Sequence, residues 1–224
     1  MSDQARPSMA PGSTGRDCGL ADKVAWLKSR QGASDESIET HFAWVFLTAD
    51  RAWKLRKPVR RDTMDYDSLE ARRRGSEAEV RLNRRLALHV YLGTRALTLD
   101  AAGRFALGGD GDVVDWLVEM RRLDRSRMLD QRLARGDVDA GDLGRLVAQL
   151  ATFYAAERPA VTDGAALASR LRAQVVTNER TLATLDPTSA RTLGESQHAF
   201  VAAHPDWLAA RAAGGCIVEA HGDL

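Results

Sequence analysis

The hydrophobic residues of this chain change their spacing near Leu123, and this change limits the folds that the chain can adopt. Before Leu123, short stretches rich in β-branched and aromatic residues alternate with turn residues, which is typical of antiparallel strands. After it, apolar residues recur every three or four positions, which is typical of amphipathic helices. The pattern predicts an α+β protein, in which a small antiparallel sheet with one packed helix precedes a mainly helical region.

The predicted elements divide the chain into three parts. Residues 1–19 are rich in proline, glycine and serine and are expected to be a disordered tail, whereas 20–120 contain the sheet and 121–224 are mainly helical. The predicted helices cover 20–30, 68–88, 140–156, 165–185 and 192–213. The predicted strands cover 37–48, 52–59, 90–99, 104–107, 113–123 and 216–218.

The strand predicted over 52–59 carries the first candidate binding residues. A β-strand alternates its side chains, so Ala52, Lys54 and Arg56 share one face. A small residue two positions before a lysine suits a nucleotide site, because alanine leaves room for adenine and the lysine reaches the phosphates from the same side. Strand register decides between Lys54 and Lys57 as the phosphate lysine, so both stay open at this point.

Six basic residues lie between Arg51 and Arg61, and they allow a different interpretation. A dense basic run is commonly a solvated face or a patch that neutralises the phosphates of a nucleic acid. Trp53 is the one aromatic residue within this run, and no nucleic-acid-binding motif accompanies it. The whole chain has 32 basic and 31 acidic residues, which nearly cancel. We therefore favour a nucleotide site over nucleic-acid binding.

The first long predicted helix after this strand carries a candidate partner for the lysine. Helical spacing places Glu79 on the inward, apolar face of the helix and Glu77 outside it. An inward carboxylate can form an ion pair with Lys54 and hold that lysine at the phosphates. The alternative is a local pairing of Glu79 with Asn83 or Arg84 along the helix.

The chain leaves the predicted sheet near Met120. This exit is the expected hinge between two lobes, where backbone groups can meet the edge of an adenine ring. In the helical region, the apolar stripe of 140–156 is expected to be buried core rather than a site. Its members are Leu143, Leu146, Val147, Leu150, Phe153 and Tyr154.

The last residues are the strongest candidates for chemistry. An apolar run at 216–218 predicts a short strand, and His221, Gly222 and Asp223 follow on a loop. A phosphotransferase presents its aspartate on such a loop, where the carboxylate accepts the proton of the substrate hydroxyl. Asp223 is therefore the candidate base, and His221 is expected to brace the loop backbone. The alternative is a solvated turn, because a three-residue string is modest evidence by itself.

Several features predict a soluble cytoplasmic protein with no membrane partner. Cys18 and Cys216 have no metal-binding or redox spacing. The N-terminal residues do not contain the apolar core of a signal peptide, and no apolar run reaches membrane-spanning length. The oligomeric state stays open.

Five segments, in the same order along the chain, resemble the aminoglycoside phosphotransferase-like kinase family. They are ETHFAWVFLT (39–48), WKLRKPV (53–59), LNRRLA (82–87), VEMRRL (118–123) and HGDL (221–224). The similarity is greatest to a bacterial branch whose members often carry a P-loop ATP-binding domain downstream. The resemblance implies a two-lobed protein-kinase-like fold and transfer of the ATP γ-phosphoryl group to the hydroxyl of a small molecule.

The resemblance also assigns roles to individual residues. Lys54 is the expected phosphate-binding lysine, with Glu79 as its helix partner and Asp223 as the catalytic base beside His221. The hinge is expected at 120–122. The expected ATP-binding residues are thus Ala52, Lys54, Glu79, Met120, Arg121 and Arg122.

Two features depart from the kinase pattern. No glycine-rich loop precedes Lys54. Kinases of this kind also hold Mg²⁺ with an asparagine five residues after the aspartate and with a second aspartate on a later strand, and both positions would lie beyond Leu224. The expectation is therefore a truncated kinase that is inactive as this chain, with an unidentified acceptor. The competing class is a non-catalytic nucleotide-binding module that keeps the fold without the chemistry.

Overall fold

The computed structural model describes residues 18–30, 36–61 and 64–219. These residues form seven α-helices and two sheets. The helices are α1 (Leu20–Ser29), α2 (Leu69–Asn83), α3 (Leu129–Arg135), α4 (Ala140–Ala156), α5 (Gly164–Ala183), α6 (Pro187–Ala203) and α7 (Pro205–Ala213). The strands are β1 (Glu36–Glu39), β2 (Ala43–Leu47), β3 (Arg51–Arg56), β4 (Arg60–Arg61), β5 (Met64–Asp65), β6 (Tyr91–Leu99), β7 (Phe105–Leu107) and β8 (Asp112–Arg121).

The larger sheet has six strands in the order β1-β2-β3-β8-β6-β7. The pairs β1–β2, β2–β3, β3–β8 and β6–β7 are antiparallel, and β4 pairs with β5 in a separate two-stranded ribbon. The predicted α+β class and antiparallel sheet are therefore confirmed. No described helix is both long enough and apolar enough to cross a bilayer.

The described residues divide into two compact units. The first unit takes its residues from Met1–Arg60, Tyr66–Glu77 and Leu92–Arg122. The second takes its residues from Arg61–Asp65, Ala78–Tyr91 and Leu123–Leu224. Helix α2 begins in the first unit and ends in the second. Except for Cys18 and Gly19, the tail predicted at 1–19 lies outside the described residues.

One face of the large sheet holds the apolar core of the first unit. Leu55 of β3 and Leu117 of β8 are fully buried there, next to Phe46 of β2. Helix α1 contributes Leu27 to this cluster, since its apolar residues recur at helical spacing and cover the sheet. Each large apolar side chain buried in this way stabilises the fold by about 1.5–3 kcal/mol.

A cluster of buried charges ties two helices to the sheet, and the sequence analysis did not identify it. The Asp115 carboxylate of β8 lies 2.8 Å from Lys23 Nζ of α1 and 2.8 Å from Arg72 Nε of α2. Asp115 is 1% exposed. We call these three residues the Asp115 cluster. Because a buried carboxylate requires nearby cations, the cluster favours one placement of α1 and α2 on the sheet.

Residues 37–48 form two strands, β1 and β2, and not the single strand predicted. The turn between them is closed by Thr40, whose backbone N–H donates to the Ala43 carbonyl at 2.8 Å. The Thr40 hydroxyl accepts the Ala43 N–H at 3.0 Å. Composition alone missed this break because the local hydroxyl bond, and not a glycine or proline, closes the turn. The strands predicted at 90–99, 104–107 and 113–123 agree with β6, β7 and β8 within two residues at each end.

Helices α5, α6 and α7 surround the apolar core of the second unit, which contains Leu167, Ala168, Val201 and Leu208. Helix α6 begins at Pro187, five residues before the predicted start at Thr192. The Asp186 side chain caps this earlier start by accepting the N–H groups of Thr188 and Ser189. Proline is suited to the first position because its missing N–H would have no partner there.

The apolar stripe of α4 does not form the buried core that was predicted, although the helix covers the predicted residues. Phe153 is its one buried member. The exposed fractions of Leu143, Leu146, Val147 and Tyr154 lie between 42% and 65%. Helical spacing places these residues on one face, but burial also requires another element over that face, and the described residues leave it largely uncovered.

The strand predicted at 216–218 is reduced to a single bridge between Val218 and Pro159. Beside it, the Ala160 N–H donates to the Ile217 carbonyl at 2.7 Å. Pro159 has no backbone N–H, so the pairing does not extend through it as a regular ladder. The segment nevertheless connects the end of α4 with the residues that precede His221.

Candidate functional site

The register of β3 brings the predicted adenine and phosphate residues onto one face of the large sheet. Ala52 lies opposite Met120 of β8, and Lys54 lies opposite Val118. Directly opposed residues of antiparallel strands point to the same side of the sheet. We call the side of the sheet that carries Ala52, Lys54, Val118 and Met120 the lysine face. The apolar core around Leu55 lies on the other face of β3.

The same register separates the two candidate lysines. Lys57 follows the last residue of β3, and its ammonium pairs with the Glu39 carboxylate of β1. It also lies 5.7 Å from the ring centroid of Trp44, which packs against the core cluster. Lys54, and not Lys57, therefore shares a face with Ala52 and Met120.

Helix α2 approaches the strand that carries Lys54 at Gly75. Arg56, on the same side of β3 as Lys54, donates from Nη2 to the Gly75 carbonyl at 3.0 Å. Its guanidinium lies 4.5 Å from the ring centroid of Tyr66. A Cβ atom at position 75 would lie 2.7 Å from Tyr66 Cε1. This close approach explains the glycine in the middle of the helix.

Glu79 is buried, with 8% of its surface exposed, whereas the Glu77 side chain is 44% exposed. Their helical spacing predicts this difference. Burial, and to a smaller extent the charge of Glu79, raises the pKa of Tyr91 in the second unit. Asn83 Nδ2 is buried and has no acceptor among the described atoms, so it does not bond to Glu79. The ion pair of Glu79 with Lys54 stays a prediction.

The three predicted hinge residues differ in their surroundings. Met120 is partly buried on the lysine face, and Arg121 ends β8 opposite Arg51. Arg122 donates its backbone N–H to the Asp50 carbonyl at 3.0 Å and its Nη1 to the Thr48 carbonyl at 2.9 Å. Since this N–H is already bonded to the Asp50 carbonyl in the β2–β3 turn, it is not expected to bind an adenine edge.

The basic run from Arg51 to Arg61 does not form one solvated face. Arg51 pairs with Asp50 and with Glu119, while Lys57 pairs with Glu39. Arg56 is buried between β3 and α2, whereas Arg60 and Arg61 are exposed. These carboxylates neutralise part of the positive charge, so the geometry does not favour the polyanion interpretation.

His221 and Asp223, the predicted loop brace and base, lie outside the described residues. The chain is described up to Glu219, whose carboxylate accepts bonds from Arg81 of α2 at 3.0 and 2.7 Å. These hydrogen bonds hold the pKa of Glu219 below its ordinary value. In the described ranges, no group of three or more histidine, cysteine or acidic residues is arranged to hold a metal. No residue is therefore assigned to the Mg²⁺ ion that the resemblance implies.

Comparison with known proteins yields relatives without a stated function. No family profile matches the chain, and no solved structure matches it. Two proteins of Mycobacterium tuberculosis and one of Mycobacterium bovis, each named as uncharacterized, are 31% identical to it over 192 residues. The aligned region covers 83% of this chain and 37% of each relative, so the chain spans little more than a third of the length of the curated relatives it matches.

Proposed function

We propose that this chain supplies the nucleotide-binding part of an aminoglycoside phosphotransferase-like kinase with a two-lobed, protein-kinase-like fold. The reaction is transfer of the ATP γ-phosphoryl group to a hydroxyl of a small molecule. The observation that carries the proposal is the common face of Ala52, Lys54 and Met120. This face combines a small side chain for adenine, a cation for the phosphates and the strand end that leads into the helical region.

The placement of α2 supports a role for Glu79 as the partner of Lys54. Arg56 lies two residues after Lys54 on the same strand face, and it bonds to the Gly75 carbonyl. Gly75 and Glu79 are four residues apart in α2, so they lie on the same side of the helix. A buried carboxylate on this side can accept a charge-assisted hydrogen bond from the lysine ammonium. This bond would hold the lysine in an extended position towards the phosphates.

The proposed transfer needs a base at the acceptor, and the sequence offers Asp223. The acceptor oxygen attacks the γ-phosphorus, the bond to the bridging oxygen breaks, and ADP leaves with that electron pair. The acceptor proton passes to the Asp223 carboxylate, while His221 braces the loop. We assign no step to Mg²⁺, because no group of three or more metal-ligating residues is found among the described residues.

Two matched pairs of variants in the full-length protein test the nucleotide site. The pairs are Lys54→Met with Lys57→Met, and Glu79→Gln with Glu77→Gln. We expect Lys54→Met to weaken binding of a fluorescent ATP analogue at least tenfold, since its charge faces the phosphates. We expect Lys57→Met to stay within about twofold, because that ammonium pairs with Glu39. Glu79→Gln is expected to weaken binding, and Glu77→Gln to leave it unchanged.

The opposite ranking within either pair would contradict the proposed site. Parental affinity in both lysine variants would refute a nucleotide on the lysine face.

Hydrolysis of ATP in Asp223→Asn separates the two classes of function. Loss of hydrolysis with retained binding is the result expected of a kinase. Binding by the parent without any turnover would instead identify a non-catalytic nucleotide-binding module.

A further inference from the structure

The segment 82–87 has no role in the chemistry proposed so far, yet Arg85 within it connects three parts of the second unit. Its Nη1 donates to the Glu157 carboxylate just after α4, and its Nη2 donates to the Glu219 carbonyl. Its Nε donates to the Leu82 carbonyl at 3.3 Å. The guanidinium also lies 5.2 Å from the ring centroid of Phe153. Arg85 thus uses its charge, its planar face and its directed donors together.

Burial distinguishes Arg85 from Arg81, the other arginine that bonds to Glu219. The side chains of Arg85 and Glu157 are 26% and 15% exposed. By comparison, Arg81 and Glu219 are 57% and 60% exposed, although their pairing uses both carboxylate oxygens. An exposed ion pair is largely screened by water, whereas a partly desolvated pair with several hydrogen bonds holds its partners more firmly.

Arg85 acts on the segment that leads to the predicted catalytic loop. Pro159 pairs with Val218, and the Ala160 N–H donates to the Ile217 carbonyl at 2.7 Å. We call this pairing of 159–160 with 217–218 the junction. Arg85 binds on both sides of it, because it forms an ion pair with Glu157 and donates to the Glu219 carbonyl. The chain leaves the junction at Glu219, and Asp223 follows after four residues, which span at most about 14 Å.

We propose that Arg85 is a positioning residue that holds the entry to the His221–Asp223 loop against the end of α2. This proposal rests on the proposed function. Helix α2 carries Glu79 near its end and the Arg85 turn immediately after it. Arg85 therefore links the segment before the predicted base to the helix that carries Glu79, the proposed partner of the lysine. The hydrogen bonds of Arg85 go to Leu82, Glu157 and Glu219, so its loss is expected to reduce turnover without removing a proposed nucleotide contact.

The test compares Arg85→Gln and Arg73→Gln in the full-length protein. Arg73 is the matched control, because it lies on the same helix and forms its ion pairs with Glu70 and Glu77. The probes are ATP binding, ATP hydrolysis with water as acceptor and Mg²⁺ in the buffer, and hydrogen exchange at the Ala160 amide. Exchange at this amide reports the junction itself and does not depend on activity.

For Arg85→Gln we expect an ATP dissociation constant within about twofold of the parent and hydrolysis at saturating ATP reduced about tenfold or more, since small misplacement of a catalytic group is costly. Exchange at Ala160 is expected to accelerate. Arg73→Gln is expected to match the parent in all three. A merely structural role would instead lower binding and hydrolysis together.

Parental hydrolysis in Arg85→Gln overturns the proposal, and so does parental exchange at Ala160. If Arg85→Gln does not fold, Glu157→Gln takes its place, because it weakens the ion pair and keeps the contacts of Arg85 with Phe153 and Glu219. The same criteria then apply. A parent protein that binds no ATP refutes the proposed function itself, and this result is distinct because it appears before any change at Arg85.

Discussion

Replacement of Asp115 by asparagine removes the negative charge that the Asp115 cluster shares between two cations. The side chains of Lys23 and Arg72 are 9% and 7% exposed, and that of Asp115 is 1% exposed. Asparagine keeps the shape and one oxygen acceptor, so the principal change is the uncompensated burial of two positive charges. Breaking a buried pair in this way costs about 3–5 kcal/mol. This is a large share of the roughly 5–15 kcal/mol that separates a folded domain from its unfolded state.

Urea unfolding, monitored by tryptophan fluorescence, measures this loss of stability in the first unit. Four of the five tryptophans, Trp26, Trp44, Trp53 and Trp116, lie in the first unit. With a urea dependence of about 2 kcal/mol per molar, a loss of about 4 kcal/mol lowers the midpoint by about 2 M. Asp100→Asn is the control, because Asp100 pairs with Arg104 on an exposed turn, and it is expected to leave the midpoint almost unchanged.

Equal midpoints for Asp115→Asn and Asp100→Asn would refute the reasoning, since a buried charge cluster cannot lose its anion without cost. A double-mutant cycle strengthens the test. In a Lys23→Met background only one cation is left at the cluster, so Asp115→Asn is expected to cost less than in the parent. Additive losses would show that Lys23 and Asp115 do not act together.

Three further substitutions, one of them a control, test local features of the fold. Gly75→Ala places a methyl group 2.7 Å from Tyr66 Cε1, and we expect a loss of about 1–3 kcal/mol in urea unfolding. Gly144→Ala in α4 is the control, because its methyl group meets no atom within 4 Å, and it should stabilise the protein by up to about 1 kcal/mol. The same change in unfolding free energy in both variants would show that Tyr66 moves aside without cost. The Ser189 hydroxyl and backbone N–H groups hold the pKa of Asp186 below its ordinary value, so this cap stabilises at neutral pH and is lost as pH falls through the lowered pKa. The Tm of Asp186→Asn should therefore decrease less than that of the parent between pH 7 and about pH 3. An equal decrease of Tm in both proteins would contradict this.

Short-range signals in the sequence were sufficient for much of the secondary structure. The alternation of β3 correctly placed Ala52, Lys54 and Arg56 on one side, and the helical spacing correctly separated Glu79 from Glu77. The bounds of α4 were also predicted. These features depend on the periods of 2 and 3.6 residues, which the backbone imposes over a few neighbouring positions.

Predictions that needed a partner elsewhere in the chain were less successful. The stripe of α4 was expected to be core, but no sequence period states which element will cover a face. The expected strand before His221 became a single bridge, because Pro159 is the residue opposite Val218. Asp115 is a charge within an apolar strand that the sequence analysis did not single out, because its cations lie 92 and 43 residues away.

The sequence by itself determined the α+β class, the order of most elements and the side of β3 on which a phosphate-binding lysine can lie. Tertiary structure decided which of the two candidate lysines shares a face with Ala52 and Met120, because the β2–β3–β8 register places Lys54 on that face and leaves Lys57 paired with Glu39. It also decided that Arg85 joins α2 to the segment before the predicted loop. The physical reason is range: dihedral preferences act between neighbours, whereas register, burial and ion pairing are set by contacts between residues far apart in the chain.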